Sequence, residues 1–173
     1  MAVALRTPLV LVTDEDLMRV SSDNPGYRFE REQDGTVIVS PTHTKGGAKS
    51  LEAAAQLRDY KKRFGGNAYD SNTGFAIGPG RTIRSPDASW VSQARIDALA
   101  PEETEGFWPI SPDVAIEVRS STDSFEETVA KIECFVARGT RYAVAIDPAT
   151  RQVVEIGNRP DGLELDFDAI MDA

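Results

Sequence analysis

Asp113-Val114-Ala115-Ile116-Glu117-Val118-Arg119 is a short, β-branched and mostly apolar run with a carboxylate set inside it. That composition predicts a strand buried on both faces at the centre of an α/β sheet. Side chains alternate along a strand, so Asp113, Glu117 and Arg119 share one face, while Val114, Ile116 and Val118 share the other. A buried carboxylate at Glu117 is costly unless it is paired or holds a cation. Asp113 lies about 13 Å from Glu117 at roughly 3.3 Å per residue, too far to share an ion with it along a straight strand.

Thirty positions before Glu117, Ser85-Pro86-Asp87 leads into the apolar strand end Ala88-Ser89-Trp90-Val91. Proline presets the backbone of its neighbour, which suits a fixed carboxylate at a strand start. Farther out, Thr13-Asp14-Glu15-Asp16 reads as a cap and an acidic first turn, predicting a short helix to about Val20 that Asn24-Pro25-Gly26 breaks. Tyr27 to Gln33 and Thr36 to Val39 flank the tight-turn signal Asp34-Gly35 and form a hairpin. In it, Arg28, Glu30 and Glu32 share one face and Tyr27, Phe29 and Arg31 the other. Ala48 to Phe64 is the first long helix, ended by Gly65-Gly66. Short strands separated by Gly74 and Gly78-Pro79-Gly80 fill Asn67 to Val91, and a small helix runs near Gln93 to Ala98. Ser124-Phe125-Glu126-Glu127 is a capping box opening a second long helix to about Arg138. Strands at Arg141 to Ile146 and Gln152 to Ile156 follow, joined by Asp147-Pro148-Ala149-Thr150, and the tail from Asp161 is acidic and has no clear pattern.

The 173 residues fit one domain, 1–173, with no repeat or linker, and 40% hydrophobic and 27% charged residues are ordinary globular values. No stretch approaches the roughly 18 apolar residues of a membrane span. Arg6 and Pro8 interrupt the apolar run at the start of the chain, which reads as a first strand or extended arm rather than a signal peptide. The single cysteine, Cys134, suits a reducing cytoplasm. The net charge of −9 argues against general nucleic-acid binding, because phosphate neutralisation supplies most non-specific affinity. A local basic patch, a dimer groove or bound cations would be needed. Lys45, Lys49, Arg58, Lys61, Lys62 and Arg63 on the first long helix and its lead-in are either a solvated face or such a stripe. His43, in a polar loop without a matched partner, reads as solvated; Trp90 and Trp108 read as core or interface anchors.

Two carboxylates from adjacent strands suit a hard cation such as Mg²⁺, which keeps several waters. A cation so held polarises a phosphoryl oxygen and acidifies a water, while a nearby Lys or Arg offsets negative charge. Pro86-Asp87 followed by Glu117-Val118-Arg119 resembles the PD-(D/E)XK nuclease signature, with arginine where lysine is usual. A longer ordered set extends it: Ser40-Pro41-Thr42, Ser71-Asn72-Thr73-Gly74-Phe75, Arg84-Ser85-Pro86-Asp87, Glu105-Gly106-Phe107, Pro112-Asp113, Asp123-Ser124, Lys131, Gly139 and Ile146-Asp147-Pro148. From Tyr27 to Gly157 the chain resembles the Uma-two-type restriction endonuclease family of the PD-(D/E)XK nuclease superfamily.

The resemblance implies a restriction-endonuclease-like α/β core: a mixed sheet flanked by helices, with an N-terminal β-hairpin. It implies a Mg²⁺- or Mn²⁺-dependent site, and the leading expectation built on it is an endonuclease acting on DNA as a homodimer. Asp87 and Glu117 match the family's metal-binding carboxylates, its lysine on the following helix falls at Lys131, and its early acidic position falls at Glu30. Alternatives stay open for each. Asp87 can be a turn aspartate capping amides, Glu117 can pair with Arg119 or Arg141, and Arg119 can orient Glu117 or grip phosphate. Lys131 can extend to solvent, and Glu30 can be a solvated residue on an edge-like strand. The arginine at 119 and the acidic charge also suit a nuclease-like binding or regulatory module without turnover.

Overall fold

A computed structural model describes residues 13–41, 44–78 and 82–173. In chain order they form α1 (Asp14–Asp23), the hairpin β1 (Tyr27–Arg31) and β2 (Val37–Pro41), and α2 (Thr44–Phe64). Then come β3 (Asn67–Asp70), β4 (Phe75–Ala76), β5 (Ile83–Arg84), β6 (Ala88–Val91) and α3 (Gln93–Asp97). A 3₁₀ turn (Pro101–Thr104) leads to β7 (Val114–Val118), α4 (Phe125–Ala137), β8 (Tyr142–Asp147), β9 (Gln152–Gly157) and α5 (Phe167–Asp172). The stretches at 1–12, 42–43 and 79–81 lie outside the described residues, and with them the N-terminal arm, His43 and the Pro79-Gly80 turn expected above.

The apolar run at 114–118 is the middle strand of a mixed five-stranded sheet, ordered β3-β6-β7-β8-β9. It pairs antiparallel with β6 and parallel with β8, and α4 supplies the crossover that a parallel pair requires. Alternation along these strands divides the core into two. Val114, Ile116, Trp90 and Val144 face α2, where Ala53, Leu57 and Tyr60 cover them. Ala115, Ala143 and Ala145 face α4, covered by Ile132 and Phe135. Each fully buried large aliphatic side chain contributes about 1.5–3 kcal/mol, so both helices are held mainly by this packing. Gly66 lets the end of α2 close onto the sheet: a Cβ there would stand 2.3 Å from the Val91 carbonyl oxygen.

The hairpin does not extend this sheet. It belongs to a second, four-stranded antiparallel sheet in the order β2-β1-β5-β4. Gly35, at φ 93°, makes its turn, and Phe29 packs with Leu17, Val20 and Ile83 beneath α1. β1 therefore lies inside a sheet, between β2 and β5, and is not the edge strand expected.

Three boundaries differ from expectation for local reasons. α1 runs on to Asp23, because its Thr13–Asp16 capping box fixes the start and nothing ends it before Asn24. α2 begins at Thr44 rather than at 48, although Gly46-Gly47 is poor helix sequence. Its first turn is held by Ser50 Oγ donating to the Gly46 carbonyl (3.0 Å) and by Lys49 Nζ on the Met171 and Ala173 carbonyls. The patternless tail forms α5, capped by Asp166 on the Ala169 amide (2.9 Å), with Ile170 and Met171 buried against the α2 side of the core. Among the described residues, no helix is long and apolar enough to cross a membrane.

Candidate active site

Glu117 is the fourth residue of β7 and, by alternation, points to the α4 face beside Ala115. The β6–β7 register pairs Ala88 with Ile116, so one step farther sets Asp87 opposite Glu117 on that same face. The Val118 amide donates to Asp87 Oδ2 at 2.8 Å, fixing the aspartate across the strand gap. Glu117 is 3% exposed and its Oε1 has no hydrogen-bond partner among the described residues.

Two more elements reach this point. Lys131 lies one turn past buried Thr128 on α4 and aims its Nζ at Glu117 Oε2, 4.0 Å away. From the other sheet, β1 contributes Arg28 and Glu30, which share a strand face. The Ser85 amide donates to Glu30 Oε1 (2.8 Å), Glu30 Oε2 is buried without a partner among the described residues, and the residue is 2% exposed. Glu30 is thus a buried group and not the solvated one that an edge strand would give. Arg28 Nη1 donates to Asp87 Oδ1 (3.0 Å) and, at the limit of a hydrogen bond, to the Ser85 carbonyl (3.4 Å).

The structure therefore brings Asp87, Glu117, Lys131 and Glu30 together. Arg119 goes elsewhere. Just beyond the end of β7 its Nε sits 2.8 Å from buried Asp147, and its Nη1 donates to the Ser120 and Asp123 carbonyls, ordering the loop into α4. Asp113, at the opposite end of β7, accepts from the Ser92 amide (2.8 Å) and from Arg95 (3.3 Å). Lys49, Arg58, Lys61, Lys62 and Arg63 belong to α2, which packs against Ile116 on the far face of the sheet from Glu117. Arg58 and Lys62 pair there with Asp59. Surface hollows of about 460 and 370 Å³ also follow α2 and include none of the converging residues. Arg28 was not singled out as a site residue, though its position two before Glu30 on one strand face was a signal for it.

The electrostatics follow from burial. Loss of water pushes the Glu117 carboxyl up to about 8; Asp87 and Glu30 add to the shift, while Lys131 and Arg28 oppose it. Lys131 is held above its usual value chiefly by Glu117, against its own burial. Burial works against the Arg28 charge, but Asp87, Glu117 and Glu30 outweigh it and raise its pKa. Three acids and two bases share one water-poor pocket, an arrangement common at sites that do chemistry.

A hard divalent cation fits part of this set. Oxygen ligands are its preference, and Glu117 Oε1 and Glu30 Oε2 are buried oxygens that no described residue satisfies. Among the described residues, no three His, Cys, Asp or Glu side chains already converge as a cation cage. The set fits an ion held by one or two carboxylates and several waters, the usual habit of Mg²⁺.

No curated protein sequence matches the chain. A crystal structure described as "a putative nuclease belonging to DUF820" from Anabaena variabilis ATCC 29413 is similar in fold, with a TM-score of 0.66 at 19% identity, over 94% of this chain and 98% of that one. The family model for Uma2, described as "Putative restriction endonuclease", matches residues 14–165. Those residues hold every element from α1 to β9, and the chain belongs to the Uma2 family.

Proposed function

We propose that this chain is an endonuclease that hydrolyses DNA phosphodiester bonds, using Mg²⁺ or Mn²⁺ held by Asp87 and Glu117. The observation that carries the proposal is the buried, unpartnered oxygen of Glu117 facing Asp87, with Lys131 and Glu30 beside it. Family membership supports the nuclease class. A cation bound there supplies Lewis-acid polarisation of the phosphoryl group and lowers the pKa of a bound water. Burial favours the protonated form of Glu117, and a cation held there would favour its carboxylate instead. Lys131, charged throughout, offsets the negative charge that grows on the phosphate. Asp87 keeps its orientation through the Val118 amide, and Glu30 anchors the Ser85 amide so that Pro86-Asp87 stays in place.

Supercoiled plasmid and single-stranded DNA, each incubated with Mg²⁺, Mn²⁺ or EDTA, test the proposal. Cation-dependent cutting well above an Asp87→Ala control is expected, and its absence overturns the assignment. The expected homodimer is checked by sedimentation of the same preparation. A second reading, a nuclease-like module that binds without cutting, draws on the net charge of −9 and on the Arg28 guanidinium already seated on Asp87. Micromolar Mn²⁺ binding by calorimetry, lost in Glu117→Gln, would count against it.

A further inference from the structure

Arg28 is the cation of the pocket with no role in the scheme above. Asp87 has two oxygens, and the backbone claims one: Oδ2 takes the Val118 amide. Oδ1 is the oxygen the backbone leaves more open to a cation, and Arg28 Nη1 holds it at 3.0 Å. A guanidinium and a divalent cation beside one oxygen repel strongly in a water-poor pocket. The side chain is not locked in place. It is 21% exposed, and its one other hydrogen bond among the described residues, to Ser85, is stretched to 3.4 Å. Both bonds use Nη1, which leaves most of a planar fork suited to a phosphate.

We propose that Arg28 is a cation-gated phosphate-binding residue, which covers Asp87 Oδ1 in the resting protein, yields it on cation loading, and then grips a non-bridging oxygen of the DNA phosphate. The inference rests on the nuclease reading and adds a residue and a resting state to it. In the resting state Arg28 neutralises Asp87 within a pocket that also holds Glu117 and Glu30. On loading, the same side chain has lost its partner and points positive charge toward the substrate. One residue then sets two affinities in opposite directions.

That opposition is the test. Mn²⁺ affinity is measured by calorimetry without DNA, and binding of a duplex oligonucleotide is measured by anisotropy with Ca²⁺ in place of Mn²⁺. Arg28→Gln is expected to bind Mn²⁺ about tenfold more tightly, having lost a like charge beside the ion, and DNA about tenfold less tightly. Arg28→Lys keeps the charge but not the fork, so its Mn²⁺ affinity should stay within about threefold of wild type while DNA binding still weakens. A merely structural role would lower both affinities together with the Tm. Unchanged or weaker Mn²⁺ binding by a folded Arg28→Gln overturns the inference and leaves the nuclease reading standing. If Arg28→Gln does not fold, full DNA binding by Arg28→Lys overturns it instead. Failure of the wild type to bind Mn²⁺ removes both.

Discussion

The two ends of β7 each bury a carboxylate on the same face, and they do so in opposite ways. Asp113 is fully buried with both oxygens engaged, one by the Ser92 amide and the other by Arg95. Glu117, four residues on, is just as enclosed but leaves Oε1 without a partner among the described residues and meets its lysine only at 4.0 Å. A satisfied buried acid ties elements together; an unsatisfied one stores a cost that only a ligand or a proton relieves. The first end of the strand is satisfied within the fold, and the second keeps a buried oxygen open.

Exchanging the two losses should break the comparison most visibly in activity. Glu117→Gln should lower cation-dependent DNA cleavage by on the order of a hundredfold or more, whereas Asp113→Asn should leave the rate per folded molecule unchanged in the same plasmid assay. Stability should show the reverse. Asp113→Asn strands the Arg95 charge and weakens the Ser92 bond, costing about 2 kcal/mol after allowing for the partial exposure of Arg95, or roughly 6 °C in Tm for a chain of this size by calorimetry. Glu117→Gln in EDTA should unfold at or above the wild-type temperature at pH 8.

The smallest effect is a slope with pH. The Glu117 pKa is raised in the folded protein, so its contribution to stability is complete below about 4.5, its ordinary value, and fades as pH rises toward about 8. Asp147, whose pKa is lowered by Arg119, Thr150 and the Ala149 amide despite its burial, has the opposite sign and loses its contribution as pH falls. Urea unfolding in EDTA at pH 5 and pH 8.5 should therefore show wild type losing stability relative to Glu117→Gln at the higher pH. Equal slopes for the two proteins would mean that burial does not govern Glu117.

Much of this was legible in residue order because it depends on local rules. The capping box at Ser124, the β-branched run at 114–118 and the Asp34-Gly35 turn each state their structure within a few residues. The meeting of Asp87 and Glu117 follows from two strands whose ends are easy to see. What was not legible depended on distant pairing. The burial of Glu30 needs β1 to pair with β5, more than fifty positions away, through the single ladder contact Arg31–Ile83. Alternation put Arg119 on the Glu117 face, but the strand ends at Val118 and Asp147 captures the guanidinium. α5 is only six residues long, too short to show a period, and is held in the groove beside α2, where Gln56 exchanges two hydrogen bonds with the Asp166 backbone.

One short crossing has a consequence for how such a chain can vary. β5 ends at Arg84 in one sheet and β6 begins at Ala88 in the other, so Ser85, Pro86 and Asp87 span the gap with no slack. Glu30 grips the first of these residues and Glu117 faces the last. Insertions at the hairpin tip, in the 3₁₀ turn or in the tail would leave that spacing untouched, whereas a single residue added at 85–87 would separate the acids. Drift in length is thus free at the periphery and forbidden at the seam.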